Sequence, residues 1–219
     1  MPPTRRIVVV SPHLDDGVLS LGAAMAAWAR EGARVELLTV LACDPDSAAP
    51  SGGWDRRAGH VTEGESARAR REEDRRACEH LGVTPRWLPF GSVDYERHGT
   101  DDEVREAVLE VVRGAAEVLL PGFPLSQPDH VWLARLLDGL DAEAARVGRY
   151  VEQPYARRDG RVPEPPFRPA PRSARDRLAK WRAIRAYRSQ LPLLDMARSI
   201  MRGPLSLALA REAVAWGDL

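Results

Sequence analysis

The chain has 219 residues, 44% of them apolar, a length that suits one domain with a substantial core. Its 32 basic and 32 acidic side chains cancel at pH 7. That balance leaves no electrostatic footprint for nucleic acid or an anionic membrane, so neither is expected as a partner.

Residues 7–10 are a continuous β-branched run, the pattern of a strand buried on both faces. The apolar stretch ending at Pro12 is too short for an export signal or a membrane span, which makes the cytoplasm the expected compartment. Helical spacing follows over residues 18–30, with Gly32 as a stop, and residues 35–40 form a second strand. A strand, a four-turn helix and another strand make a βαβ unit and imply a parallel sheet. Residues 41–64 read as a long loop rich in Ala, Ser, Pro, Gly and Asp. A charged helix over 66–81 closes at Gly82, and a third strand spans 87–89. A helix over 101–115, a fourth strand over 117–120, a helix over 129–147 and a weak fifth strand over 149–152 come next. Residues 157–171 are Pro- and Arg-rich and irregular, while 173–190 and 202–216 look helical.

The expected architecture is thus a Rossmann-like open parallel α/β sheet with helices on both faces. It forms one domain over residues 1–219, a core (1–152) followed by a loop and helical extension (153–219). Cys43 and Cys78 are too few for a disulfide scaffold or a Cys-based metal site. Lys180 is the only lysine among the basic residues.

In open α/β sheets, ligands bind beyond the carboxyl ends of strands where the strand order reverses, commonly between the first and fourth strands. The first strand here exits into His13-Leu14-Asp15-Asp16 and the fourth runs toward Gln127-Pro128-Asp129-His130. His13 and Asp16 lie three apart on a turn and can converge on one ion, with His130 as third donor. Two imidazoles and a carboxylate with an open fourth position suit catalytic zinc, although iron or cobalt fit the same donors. Asp15, whose side chain diverges from its neighbour's, is placed to act as general base. Asp129, beside His130, is a candidate to orient that imidazole. Each cluster alone also has a plainer reading, as a helix cap or a surface histidine. A dinucleotide site would need Gly-x-Gly-x-x-Gly, and the acids found in its place would repel a pyrophosphate.

The run Ser11-Pro12-His13-Leu14-Asp15-Asp16, continued by Gly17-Val18-Leu19-Ser20-Leu21-Gly22, resembles the PIG-L (LmbE-like) family of zinc-dependent N-deacetylases. Arg70-Arg71-Glu72-Glu73 followed by Leu81-Gly82, the stretch Gly91 to Asp94, Pro128-Asp129-His130, Glu152 to Tyr155 and Lys180 to Gln190 are similar to further family segments in the same order. The resemblance implies zinc on His13, Asp16 and His130, Asp15 as base, and Arg70 as a substrate contact or brace. Taken alone, Arg70 reads as a solvated helix charge. Asp94 and Tyr95 follow the third strand and either line the pocket or form a turn.

Two positions depart from the family. Gly17 stands where an acid is frequent, and Gln127 stands where a histidine usually serves the oxyanion or the leaving amine. A glutamine amide can donate a hydrogen bond but cannot deliver a proton near neutral pH. His60, His80 and His98 read as surface residues, Tyr155 and Tyr187 as core or rim aromatics, and Trp54 as a possible sugar-stacking platform. The implied reaction removes an N-acetyl group from a small amino sugar or aminocyclitol, as in antibiotic biosynthesis. An amidase acting on a larger conjugate and a metal-binding homologue without turnover are the alternatives.

Overall fold

The computed structural model describes residues 4–95, 98–140, 146–163, 166–194, 203 and 212–217. Its centre is β1 (Arg6–Ser11), which pairs in parallel with β2 (Arg34–Thr39) on one side and β4 (Glu117–Phe123) on the other. Because successive side chains on a strand point to opposite faces, the run Ile7 to Val10 feeds two cores. Ile7 and Val9 join Leu21, Met25, Leu37 and Ile184, whereas Val8 and Val10 join Leu38, Val104, Val108 and Leu133. Helices α1 (Asp16–Arg30), α3 (Glu63–Leu81) and α7 (Ala174–Ile184) therefore cover one face, and α4 (Asp101–Val112) and α5 (Pro128–Leu136) cover the other.

The strand order is β3-β2-β1-β4-β5-β7-β6, with β3 at Thr84–Trp87, β5 at Val147–Val151, β6 at Arg168–Pro169 and β7 at Ala213–Trp216. The order reverses between β1 and β4, where the sequence places the site. β5, β7 and β6 pair antiparallel, so the sheet is mixed rather than wholly parallel.

Several expected boundaries move. The third strand lies at Thr84–Trp87 rather than 87–89; Pro85 is tolerated because β3 is an edge strand. β4 continues through Pro121 because its pairing with β1 ends at Leu119. The helix expected over 129–147 ends at Leu136, and Val147 already belongs to β5. The long loop contains a short helix, α2 (Gly53–Arg57), and α3 starts at Glu63 because Thr62 supplies its cap, accepting from Glu65 N at 3.1 Å. A second short helix, α6 (Tyr155–Arg158), opens the Pro-rich segment.

The clearest correction concerns the C-terminus. Residues 213–216 form β7 on the edge of β5, not a helix; four apolar residues carry too little periodicity to separate the two. The helical expectation over 204–211 lies outside the described residues. Just before β7, Glu212 accepts hydrogen bonds from Ala23 N (2.9 Å) and Ala24 N (2.7 Å) and pairs with Lys180 Nζ at 2.6 Å. Those two amides follow Leu21, whose non-helical backbone kinks α1. The single lysine is thus fully buried and ties α7 to the kink and the last strand. Among the described residues no helix is long and apolar enough to cross a membrane.

Candidate metal centre and active-site cleft

His13 and Asp16 sit on the turn from β1 into α1, and His130 lies in the first turn of α5, just beyond β4. The three converge. His13 Nδ1 lies 3.0 Å from Asp16 Oδ2, His130 Nε2 lies 3.1 Å from the same oxygen, and the two ring nitrogens are 3.3 Å apart. A tetrahedral ion with bonds of about 2.0–2.1 Å sets its ligand atoms about 3.3 Å apart, so this triangle fits one face of such a site. Among the described residues this is the one His/Cys/Asp/Glu group able to hold a metal ion.

The outer nitrogens of both rings are also engaged. His130 Nδ1 meets Glu152 Oε1 at 2.5 Å, and His13 Nε2 meets Asp129 Oδ2 at 3.1 Å. Each carboxylate favours a proton on its own side of the ring, so that the other nitrogen of each could offer its lone pair to an ion held beside Asp16. Asp129 therefore orients His13 and not His130, as its position beside His130 had suggested. Adjacent residues on a helix point apart, and His130 turns instead toward Glu152 at the end of β5. Asp129 also accepts from Val93 N at 3.2 Å, which anchors the loop after β3.

Charge in this shell invites a cation. Burial alone would lower the His130 pKa, but the carboxylates of Asp16 and Glu152 outweigh it and push it up to about 10. Burial would raise that of Asp16, yet His130 and His13 hold it far below the carboxylate range. A divalent ion would satisfy the same negative potential that now favours a proton on the ring. Asp15 behaves oppositely. Its burial, then the Asp16 charge, push it up to about 8, against the pull of Arg70.

Asp15 also has an unusual backbone, with φ 129° and ψ −36° at the junction of β1 and α1. Gly17 follows in a tight space: its N–H donates to Ser11 Oγ at 2.9 Å, and an added Cβ would come within 2.5 Å of Leu37 Cδ1. A larger residue at that position would require the Leu37 side chain to move.

The centre opens on a cleft of about 690 Å³. His13, Asp15, Arg70, Asp94, Gln127 and Asp129 all line it, whereas Asp16 and His130 are buried and outside its lining. Arg70 is no solvated helix charge. Its Nη1 donates to Asp55 Oδ1 (3.2 Å) and its Nη2 to the Leu14 carbonyl (3.3 Å). Asp94 uses one carboxylate oxygen to accept from Trp54 N at 2.9 Å. Gln127 is the N-cap of α5: its Oε1 accepts from His130 N at 3.1 Å, and its Nε2 lies 3.4 Å from Asp129. Trp54 lines the cleft, held by Gln190 through its indole N–H at 2.7 Å. Tyr155 packs edge-on against His130, with ring centroids 4.9 Å apart. His60 and His98 lie outside the cleft lining, His98 beside Glu63 at 3.3 Å.

Two contributors escaped residue-by-residue reading. Glu152 appeared only within a strand and a family-like segment. Its one local signal is an acid at the carboxyl end of the strand next to β4. Asp55 had no signal at all in its loop.

The fold and the cleft define a doubly wound α/β protein with a candidate metal centre at the reversal of strand order. The chain belongs to the PIG-L family, whose model, described as GlcNAc-PI de-N-acetylase, matches residues 8–139. Among curated proteins it is 33% identical over 169 residues to 2'-N-acetylparomamine deacetylase of Streptomyces fradiae, covering 69% of this chain and 58% of that one. It is 29% identical over 152 residues to 1D-myo-inositol 2-acetamido-2-deoxy-alpha-D-glucopyranoside deacetylase of Streptomyces griseus subsp. griseus, covering 61% and 47%. The chain thus spans about half the length of these relatives. A solved deacetylase of the teicoplanin biosynthetic pathway matches over 97% of both chains, at 26% identity and a TM-score of 0.77.

Proposed function

We propose that this protein is a zinc-dependent hydrolase that removes an N-acetyl group from an amino sugar or aminocyclitol in secondary metabolism. The observation that carries the reading is the His13/Asp16/His130 triangle with both outer ring nitrogens already committed to carboxylates. The family and the acetylated amino sugars named in its relatives support the substrate class.

Zinc, when bound, supplies Lewis-acid polarisation of the amide carbonyl and eases ionisation of a nearby water. The remaining work falls to this chain. Asp15 takes the proton of the attacking water as a C–O bond forms at the acyl carbon. The Gln127 amide donates to the oxygen that gains charge, its own carbonyl being occupied in capping α5. Asp15 then passes the proton to the departing nitrogen as the C–N bond breaks, leaving acetate and a free amine. Asp94 contacts the sugar, and Arg70, its terminal nitrogens bonded to Asp55 and to the Leu14 carbonyl, braces the site. Tyr155 and Gln190 also line the cleft, so the core and the extension act as one catalytic unit. Both cysteines are buried free thiols, which suits a reducing compartment and the cytoplasm as the place of reaction.

The cleft volume, with Trp54, Leu193 and Leu194 in its wall, also favours a second reading, an amidase acting on a larger conjugate. Acetate release from a panel of N-acetylated amino sugars and bulkier glycoconjugates separates the two. Turnover should vanish on chelation and return with zinc, and Asp15→Asn should keep the metal while losing about 10²- to 10⁴-fold in kcat. Stoichiometric metal without turnover on any acylated amine would sink the hydrolase reading.

A further inference from the structure

The least expected residue at this site is Asp55. It lies on α2, inside the loop between β2 and α3, yet its carboxylate is only 2% exposed. Its two oxygens are divided between two partners: Oδ1 accepts from Arg70 Nη1 at 3.2 Å and Oδ2 from the Tyr95 hydroxyl at 2.5 Å. Burial works against its charge, yet Arg70 and the hydrogen bond from Tyr95 hold its carboxyl below the usual range.

Arg70 spends its other terminal nitrogen on the carbonyl of Leu14, and its Nε is buried with no hydrogen-bond partner in the described structure. That carbonyl belongs to the peptide joining Leu14 to Asp15, the very unit that carries the φ of 129°. Non-glycine residues hold such a backbone only where the surroundings over-determine it. The surroundings here include Leu19 N donating to Asp15 O at 2.8 Å from the helix side and Arg70 from the opposite chain segment. Arg70 can only hold that carbonyl if its own guanidinium is held.

We propose that Asp55 is a positioning residue: clamped by Tyr95, it fixes the Arg70 guanidinium against the Leu14 carbonyl and so sets the peptide that presents Asp15 to the cleft. It lines the cleft with both carboxylate oxygens already bonded to the protein, which leaves Arg70 as its route to the base. It acts through Arg70, and because α2 also carries Trp54 and Arg57, it ties the wall of the cleft to the geometry of the base.

The kinetic part rests on the hydrolase reading, so the test has an arm that does not. Asp55→Asn keeps the shape and loses the charge. A crystal structure of this variant should show the Arg70 guanidinium withdrawn from the Leu14 carbonyl and the Asp15 side chain reoriented, with metal content unchanged. Its kcat should fall at least tenfold with KM within about threefold of the wild type. In an Arg70→Gln background, Asp55→Asn should cost less than threefold more, because the route it acts through is already gone. Tyr95→Phe, which keeps the ion pair and folds without a buried charge left unmatched, should lower kcat two- to fivefold. Arg70 still seated on Leu14 in the Asp55→Asn crystal would overturn the proposal, as would an unchanged kcat. A wild type inactive on every acylated amine would instead count against the hydrolase reading, and the crystal arm would still decide the role of Asp55.

Discussion

Glu152→Gln isolates how much a carboxylate behind a ligand contributes to metal binding. Glu152 is 1% exposed and meets His130 Nδ1 at 2.5 Å. Glutamine preserves volume and an acceptor oxygen but removes the charge, which turns a charge-assisted hydrogen bond into a neutral one about half as strong. Loss of such an orienting partner typically weakens metal affinity about 10- to 100-fold, or about 1.4–2.7 kcal/mol. At free metal equal to 100 times the wild-type Kd, binding stabilises the wild type by about 2.7 kcal/mol; the variant keeps only about 0.4–1.4 kcal/mol. For a chain of this size 1 kcal/mol moves Tm by about 2–4 °C, so the metal-induced rise should shrink from about 5–11 °C to about 1–6 °C. Competition with a chelating indicator gives Kd directly, and thermal melts with and without metal give the shift. An unchanged Kd together with an unchanged shift would refute the claim that Glu152 sets the donor state of His130.

Burial alone would raise the pKa of Glu36, but Arg6 and Arg86 outweigh it and hold it at about 2. A depressed carboxylate stabilises fully above its ordinary value of 4.5 and loses that contribution as pH falls through about 2. Glu36→Gln should therefore cost about 1–2 kcal/mol at neutral pH and flatten unfolding free energy between pH 5 and about 2, the arginine partners being partly exposed; an equally steep acid limb would count against it. Lys180→Met strands the Glu212 carboxylate, 1% exposed, and should destabilise by about 3–5 kcal/mol in urea unfolding, where a cost below 1 kcal/mol would show that the pair is dispensable. Gln127→His should change kcat less than about threefold if Asp15 handles both protons. A gain above tenfold would show that the natural site lacks an acid it needs.

The central strands and the strand-order reversal were legible because a β-branched run buried on both faces leaves little choice of location, and the run from His13 to Asp16 is continuous with its end. His130 was legible for the same reason, being brought by the next strand of the switch. What stayed hidden depends on contacts between distant segments. Glu152 reaches His130 across 22 residues and Asp55 reaches Arg70 across 15, and neither spacing has a local signature. The partner of Asp129 is hidden because neighbours in a helix point their side chains apart, and Asp129 turns to His13 rather than His130. β7 could not be told from a helix because its character comes from the free edge of β5. Gln127 departs from the family histidine, and the structure shows it capping α5, a role the sequence does not signal.

The proposed chemistry depends on one ion held by three named atoms. Crystals grown with zinc and measured above and below its absorption edge test this most directly. A single anomalous peak is predicted about 2.0–2.2 Å from His13 Nδ1, Asp16 Oδ2 and His130 Nε2. A peak elsewhere, or none at full zinc loading, would contradict it.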